Sequence, residues 1–115
     1  MKKSGKSYAV PLEEVLLREW KDPKRAKLAV EVALEEFRED NDVDALLNIL
    51  RVIAKAQGGL TKLARKASLS RQALHEALSS NGNPRLRTFK SVIESLGFRI
   101  SIEPLHSRGK LARAP

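Results

Sequence analysis

Apolar side chains recur at helical spacing along most of this 115-residue chain, and this periodicity constrains the fold more than any other feature. Three stripes run through residues 12–20, 26–37 and 43–54. Asp22 and Asp42 stand just before the second and third stripes, where a helix-capping side chain is favoured. Amphipathic helices bury their apolar faces against one another, so the sequence predicts a helical bundle.

Two short helical segments follow, over 60–67 and 71–80, and only residues 68–70 separate them. The small Ala64 would let the second segment cross the first closely and at a steep angle. Ser70 can accept from a backbone N–H of the second segment as its N-cap. This arrangement is typical of a helix-turn-helix.

Towards the C-terminus the sequence predicts a last helix, after which the spacing of apolar residues changes from helical to alternating. Apolar residues at helical spacing extend to Leu96, and Gly97 is expected to close that helix. Over 98–103 apolar and polar residues alternate, which predicts one strand. Its partner is either the same strand of a second subunit across a twofold axis, which we favour, or residues 7–10 of the same chain.

We therefore predict an all-α fold, a five- to six-helix bundle that contains a helix-turn-helix and ends in one short β-strand. We predict a flexible basic N-terminus (1–10), a single helical domain (11–103) and a disordered basic tail (104–115). Within the domain we predict N-terminal acidic helices (11–42), a helix-turn-helix DNA-binding core (43–97) and the strand (98–103).

Charge is distributed unevenly along the chain, whose net charge is +8. Residues 8–44 carry −5, whereas residues 45–103 carry +7. The basic half suggests a polyanionic partner, although solvated helix faces would give the same pattern. The chain contains no cysteine, and neither a secretory signal nor a membrane-spanning apolar run is recognisable. These features predict a cytoplasmic protein, associated with the nucleoid when bound to DNA, with no membrane partner.

Polar side chains of the two short helices and the turn after them form the candidate DNA-binding site. Arg71 and Gln72 are of the types that pair with guanine and adenine in the major groove, and Lys62 could contact phosphate. The candidate residues are Thr61, Lys62, Arg65, Ser70, Arg71, Gln72, His75, Ser79, Asn81, Asn83 and Arg85. The alternative is a plain helical hairpin with a polar face.

Catalytic and metal-binding patterns are missing from the sequence. His75 and His106 have no metal-ligand spacing, and Ser70 has no base close to it in the sequence. No glycine-rich phosphate loop follows a strand. We therefore predict that the protein is not an enzyme, has no catalytic residues and uses no cofactor or metal.

The stretch from Gly58 to Ser79, with the turn 81–84 and the ending 96–100, resembles the probable addiction-module antidote proteins. These are HigA-like antitoxins with a lambda-repressor-like (Cro-type) helix-turn-helix. The resemblance implies an antitoxin that neutralises a small RelE/ParE-superfamily toxin from the adjacent gene and represses its own promoter. The matching base-reading positions are Ser70, Arg71, Gln72 and His75.

Two departures from the family pattern concern Ser68, where glycine is usual, and His75, where tyrosine is common. The acidic first half would suit a basic toxin, and a homodimer would match a palindromic operator. A stand-alone, phage-like helix-turn-helix regulator without a toxin is the alternative function. RNA binding is a further, weaker alternative, because RNA-binding modules usually expose aromatic side chains and the aromatic residues here mostly fall on core stripes.

Overall fold

A computed structural model describes residues 12–79 and 82–105. Within these residues the chain forms six helices, which confirms the predicted all-helical class and helix number. The helices are α1 (Leu12–Glu19), α2 (Pro23–Asp40), α3 (Val43–Ala56), α4 (Leu60–Lys66), α5 (Arg71–Ala77) and α6 (Leu86–Ser95).

Two predicted aspartate caps set the boundaries of the long helices. The Asp22 carboxylate accepts from the Lys24 N–H, and Pro23 occupies the first turn of α2. The Asp42 carboxylate accepts from the Ala45 N–H at the start of α3. Each cap satisfies a backbone donor that the helix itself leaves without a partner.

Helix α3 lies at the centre of the fold, in contact with α1, α2 and α4. Its buried residues face more than one neighbour, unlike the single stripe of a surface helix. They are Leu46, Leu47, Leu50, Val52, Ile53 and Ala54. At its C-terminal end, the Gln57 amide donates to the Trp20 carbonyl at 2.7 Å and so fixes the end of α1 against α3.

Helices α4, α5 and α6 form the second half of the core. The inner face of α4 consists of Leu60, Leu63 and Ala64, which are buried. Leu74 and Leu78 of the α5 segment are also buried in the same cluster. Helix α4 contacts α3, α5 and α6, and the four-residue connection 67–70 joins it to α5.

The strand predicted over 98–103 is not formed, because these residues have no regular secondary structure. A strand requires hydrogen bonds to a second strand, and the described part of this single chain offers none. The alternative partner, residues 7–10, lies outside the described residues. Helix α5 also ends at Ala77, earlier than the predicted residue 80.

Leu34 falls within the apolar stripe predicted over 26–37, but its side chain is exposed and does not belong to the core. Helix α2 packs chiefly against α3, so one side of α2 remains uncovered. The predicted N-terminal segment 1–10 and residues 106–115 of the predicted tail lie outside the described residues. No helix in the described ranges is long and apolar enough to cross a membrane.

Ser68, which stands where glycine is usual in the family pattern, adopts a left-handed backbone conformation with φ of 58°. A side chain in this region costs about 1 kcal/mol relative to glycine. We expect Ser68→Gly to raise the free energy of unfolding by roughly 0.5–1 kcal/mol, measured by urea denaturation. Ser91→Gly, inside α6, should lower it by a similar amount. A loss of stability in Ser68→Gly would contradict the strain argument.

Candidate nucleic-acid interface

The connection between α4 and α5 orients the exposed face of α5. The Ser70 hydroxyl accepts from the Ala73 N–H at 2.9 Å, which confirms the predicted N-cap. Leu74 is fully buried and anchors the inner face of this short helix. Arg71, Gln72 and His75 are consequently exposed together on the outer side of α5.

Two predicted site residues on different helices are in direct contact. The Arg71 guanidinium donates through Nε to the Thr61 hydroxyl at 3.0 Å. This hydrogen bond connects the first turn of α5 to the first turn of α4. It leaves the two terminal guanidinium nitrogens of Arg71 available for an external acceptor, since the bond uses Nε alone.

Gln72 and Ser79 both interact with Glu76 on their own segment. The Gln72 amide donates to the Glu76 carboxylate at 3.3 Å, and the Ser79 hydroxyl donates to the Glu76 carbonyl at 2.9 Å. Ser79 is half-buried, whereas Gln72 is exposed. The bond to Glu76 uses one of the two hydrogens on the Gln72 amide nitrogen, so the second N–H and the amide oxygen remain available to a base edge.

Lys62 lies on a different side of α4 from Thr61. Its stem runs over Gly58, where a Cβ would come within 2.6 Å of the Lys62 Cδ atom. With Lys66 it lines a cleft beside Ser95 and Gly97, at the end of α6. The structure therefore separates Lys62 from the base-reading candidates on α5.

The remaining predicted DNA-binding residues lie on the elements before and after α5. Arg65 is exposed on α4, and Asn83 and Arg85 are exposed before α6. The Gly82 N–H donates to the Ser79 carbonyl at 2.8 Å, which holds the start of this turn against the end of α5. Asn81 lies outside the described residues.

The stretch from α4 to the start of α6 presents basic side chains that have no acidic partners among the described residues. Residues 60–87 hold six basic side chains against one acidic side chain. None of the six forms an ion pair within the described ranges, whereas Lys27, Arg38 and Lys90 each pair with a glutamate of the same helix. The part of the α4–α6 surface formed by residues 60–87 thus keeps its positive charge unneutralised, as a phosphate-binding surface requires.

Arg51 positions the end of α5, a role that the sequence analysis missed. This half-buried arginine of α3 donates to the Leu78 carbonyl at 3.0 Å and also to the Asn48 side chain. A cation at a helix C-terminus satisfies a free carbonyl and complements the helix dipole. The available signal was a basic residue between Leu50 and Val52 in an otherwise apolar stretch.

A second surface of opposite charge lies on α2. A groove of about 490 Å³ has an apolar lining that includes Trp20 and Ile49, together with Leu28 and Val32, which are 61% and 51% exposed. Its charged lining residues are Glu36 and the ion pair between Glu19 and Arg25. Acidic residues follow along the chain, because residues 31–44 hold seven acidic side chains against one basic side chain. We call this the α2 groove.

Metal binding has no candidate within the described residues, since no group of three or more histidine, aspartate or glutamate side chains could hold an ion there. The fold and surface together define a small all-helical protein with a basic face on α4–α6 and an apolar, acid-bordered groove on α2.

Comparison with known proteins identifies the family. Residues 23–104 match the family described as "Probable addiction module antidote protein". An uncharacterized protein of Haemophilus influenzae strain Rd is 30% identical over 74 residues, which cover 64% of this chain and 75% of the relative. No solved structure matches the chain. The chain therefore belongs to the family of probable addiction module antidote proteins.

The family match confirms the predicted resemblance to the addiction-module antidote proteins. It also implies a toxin as a partner, since an antidote acts against a toxin. Antidote families are typically non-enzymatic. The helix-turn-helix superfamily, DNA binding and the toxin class stay predictions.

Arg51→Met tests the link between α3 and the end of α5. Methionine keeps an apolar stem but leaves the Leu78 carbonyl without its donor. We therefore expect the free energy of unfolding to fall by about 1–2 kcal/mol. Hydrogen exchange should also accelerate in α5. Lys55→Met is the matched control, because its ion pair with Glu13 is exposed and should contribute less than about 1 kcal/mol. Equal effects of both variants would contradict the assigned role.

Proposed function

We propose that this chain is the antitoxin of a type II toxin–antitoxin module. It binds and neutralises a RelE/ParE-superfamily toxin and represses its own promoter through the α4–α5 unit. Family membership supports the antidote role, and the unneutralised basic surface of α4–α6 is the observation that carries the DNA-binding role.

For the DNA-binding role, α5 acts as the major-groove reader. Its N-terminal residues Arg71 and Gln72 are exposed, as the first turn of a recognition helix requires. Thr61 orients Arg71 from α4, and Arg51 holds the opposite end of α5. Lys62 and Arg65 contact phosphates on either side and set the register on the duplex. A homodimer presents two such readers to a palindromic operator.

For the antitoxin role, the α2 groove receives the toxin. Exposed Leu28 and Val32 offer apolar contact area, and the glutamates nearby favour a basic partner. Glu36 borders the groove and forms no ion pair with a described residue. A basic toxin segment with apolar side chains matches both properties.

DNA reading is tested with three single variants and operator fragments. We expect Arg71→Ala and Gln72→Ala each to weaken binding to the correct operator by roughly 1–3 kcal/mol and to relax the sequence preference. Lys62→Ala should weaken binding to all sequences alike and reduce the salt slope by about one unit. Competition binding at several salt concentrations measures both quantities. A change of base preference in Lys62→Ala alone would contradict this docking orientation.

Toxin docking is tested with the double variant Leu28→Lys plus Val32→Lys. The new positive charges repel a basic toxin and the substitutions remove apolar contact area, so the complex with the product of the adjacent reading frame should weaken at least about tenfold. Leu86→Lys is the matched control, since Leu86 is also exposed but lies on α6. Circular dichroism checks the fold of both variants, and co-purification measures the complex. Undiminished binding by the folded double variant would exclude the groove as the toxin site.

A further inference from the structure

The segment after α6 alternates apolar and polar side chains yet has no regular secondary structure in the single chain. Ile100 and Ile102 are 46% and 94% exposed, and Arg99, Ser101 and Glu103 are exposed on the alternate positions. Such an exposed segment carries backbone donors and acceptors that a second strand could satisfy. Its apolar side chains also gain from being covered.

Two backbone features limit how a second strand can pair with this segment. The Phe98 N–H already donates to the Ile93 carbonyl at 3.1 Å, where it closes the end of α6. Pro104 has no N–H to donate. In an antiparallel ladder, alternate residue pairs exchange hydrogen bonds and the pairs between them do not. Phe98 and Pro104 must therefore both belong to the pairs that exchange none.

We propose that a second copy of this chain pairs antiparallel with residues 98–104 across a twofold axis at Ser101. This inference rests on the homodimer of the proposed function and adds its register. Phe98 then lies opposite Pro104 of the partner subunit, which satisfies the backbone restriction at both residues. Residues 99, 101 and 103 form the hydrogen-bonded pairs.

The side chains favour the same register. Arg99 lies opposite Glu103 of the partner subunit, so opposite charges face each other twice across the axis. Ile100 lies opposite Ile102 of the partner subunit in a pair without hydrogen bonds, where side chains approach most closely. Both sequence patterns, charge and hydrophobicity, are self-complementary about Ser101.

Neighbouring registers lose one or both of these matches. A shift of one residue in the pairing places Ile102 opposite Arg99 and mixes the apolar and polar faces. An axis at Ile100 keeps the apolar pairs but places Glu103 opposite Gly97. Gly97 has a φ of 96° and ends α6, so it cannot extend the ladder.

Exchanging the charges of Arg99 and Glu103 tests whether these two residues pair across the axis. Sedimentation equilibrium of the full-length chain measures the dimer dissociation constant. Arg99→Glu and Glu103→Arg each create two like-charge pairs, so each should raise the dimer dissociation constant about tenfold. The double variant restores both pairs and should return close to the wild-type value. Single variants that dimerise like wild type, or a double variant no better than the singles, would overturn this register.

Cysteine cross-linking tests the axis independently, because the natural chain has no cysteine. Ser101→Cys should form a disulfide-linked dimer under mild oxidation, since the two Cα atoms would lie about 5.5 Å apart. Glu103→Cys is the control, with Cα atoms about 14 Å apart. Cross-linking at 103 but not at 101 would overturn the register.

Different results would overturn the proposed pairing and the proposed function. A wild-type chain that is monomeric at micromolar concentration overturns the proposed pairing, whatever its toxin binding. A cross-linked Ser101→Cys dimer that binds neither operator DNA nor toxin supports the pairing and overturns the proposed function.

Discussion

The burial of α3 is the constraint on which the other helices depend. Leu47, Leu50 and Ile53 are almost completely buried, and each such side chain contributes about 1.5–3 kcal/mol when it leaves water. Polar groups of the same helix hold its neighbours, since Gln57 fixes the end of α1 and Arg51 fixes the end of α5. One central helix therefore determines the position of both surfaces on which the functional account rests.

The two surfaces differ in charge and in how the charges are arranged. On α2, basic side chains are largely paired with glutamates, which leaves the acidic excess of residues 31–44 exposed. Between residues 60 and 87, the basic side chains have no acidic partners in the described part of the chain, whereas Lys90 further along α6 pairs with Glu94. The proposed function requires one site for a protein and another for DNA. The division of charge between the two surfaces supports that proposal, because neither surface then has to serve both partners.

Features that depend on residues close together in the sequence could be predicted, whereas contacts between distant residues could not. The caps Asp22, Asp42 and Ser70 satisfy nearby backbone donors, so short sequence patterns identify them. The role of Arg51 depends on a carbonyl 27 residues away, and no local pattern specifies that distance. The segment 98–103 has the alternation of a strand, but pairing requires a second strand that this chain alone does not supply.

The most direct test is co-expression of this chain with the product of the adjacent reading frame, scored by growth and by co-purification. We expect that the neighbouring product alone arrests growth, and that this chain restores growth and purifies with that product as a stable complex. Neither toxicity nor a complex would contradict the antitoxin role. A stand-alone DNA-binding regulator would then be the function to test, and the α2 groove would need another partner.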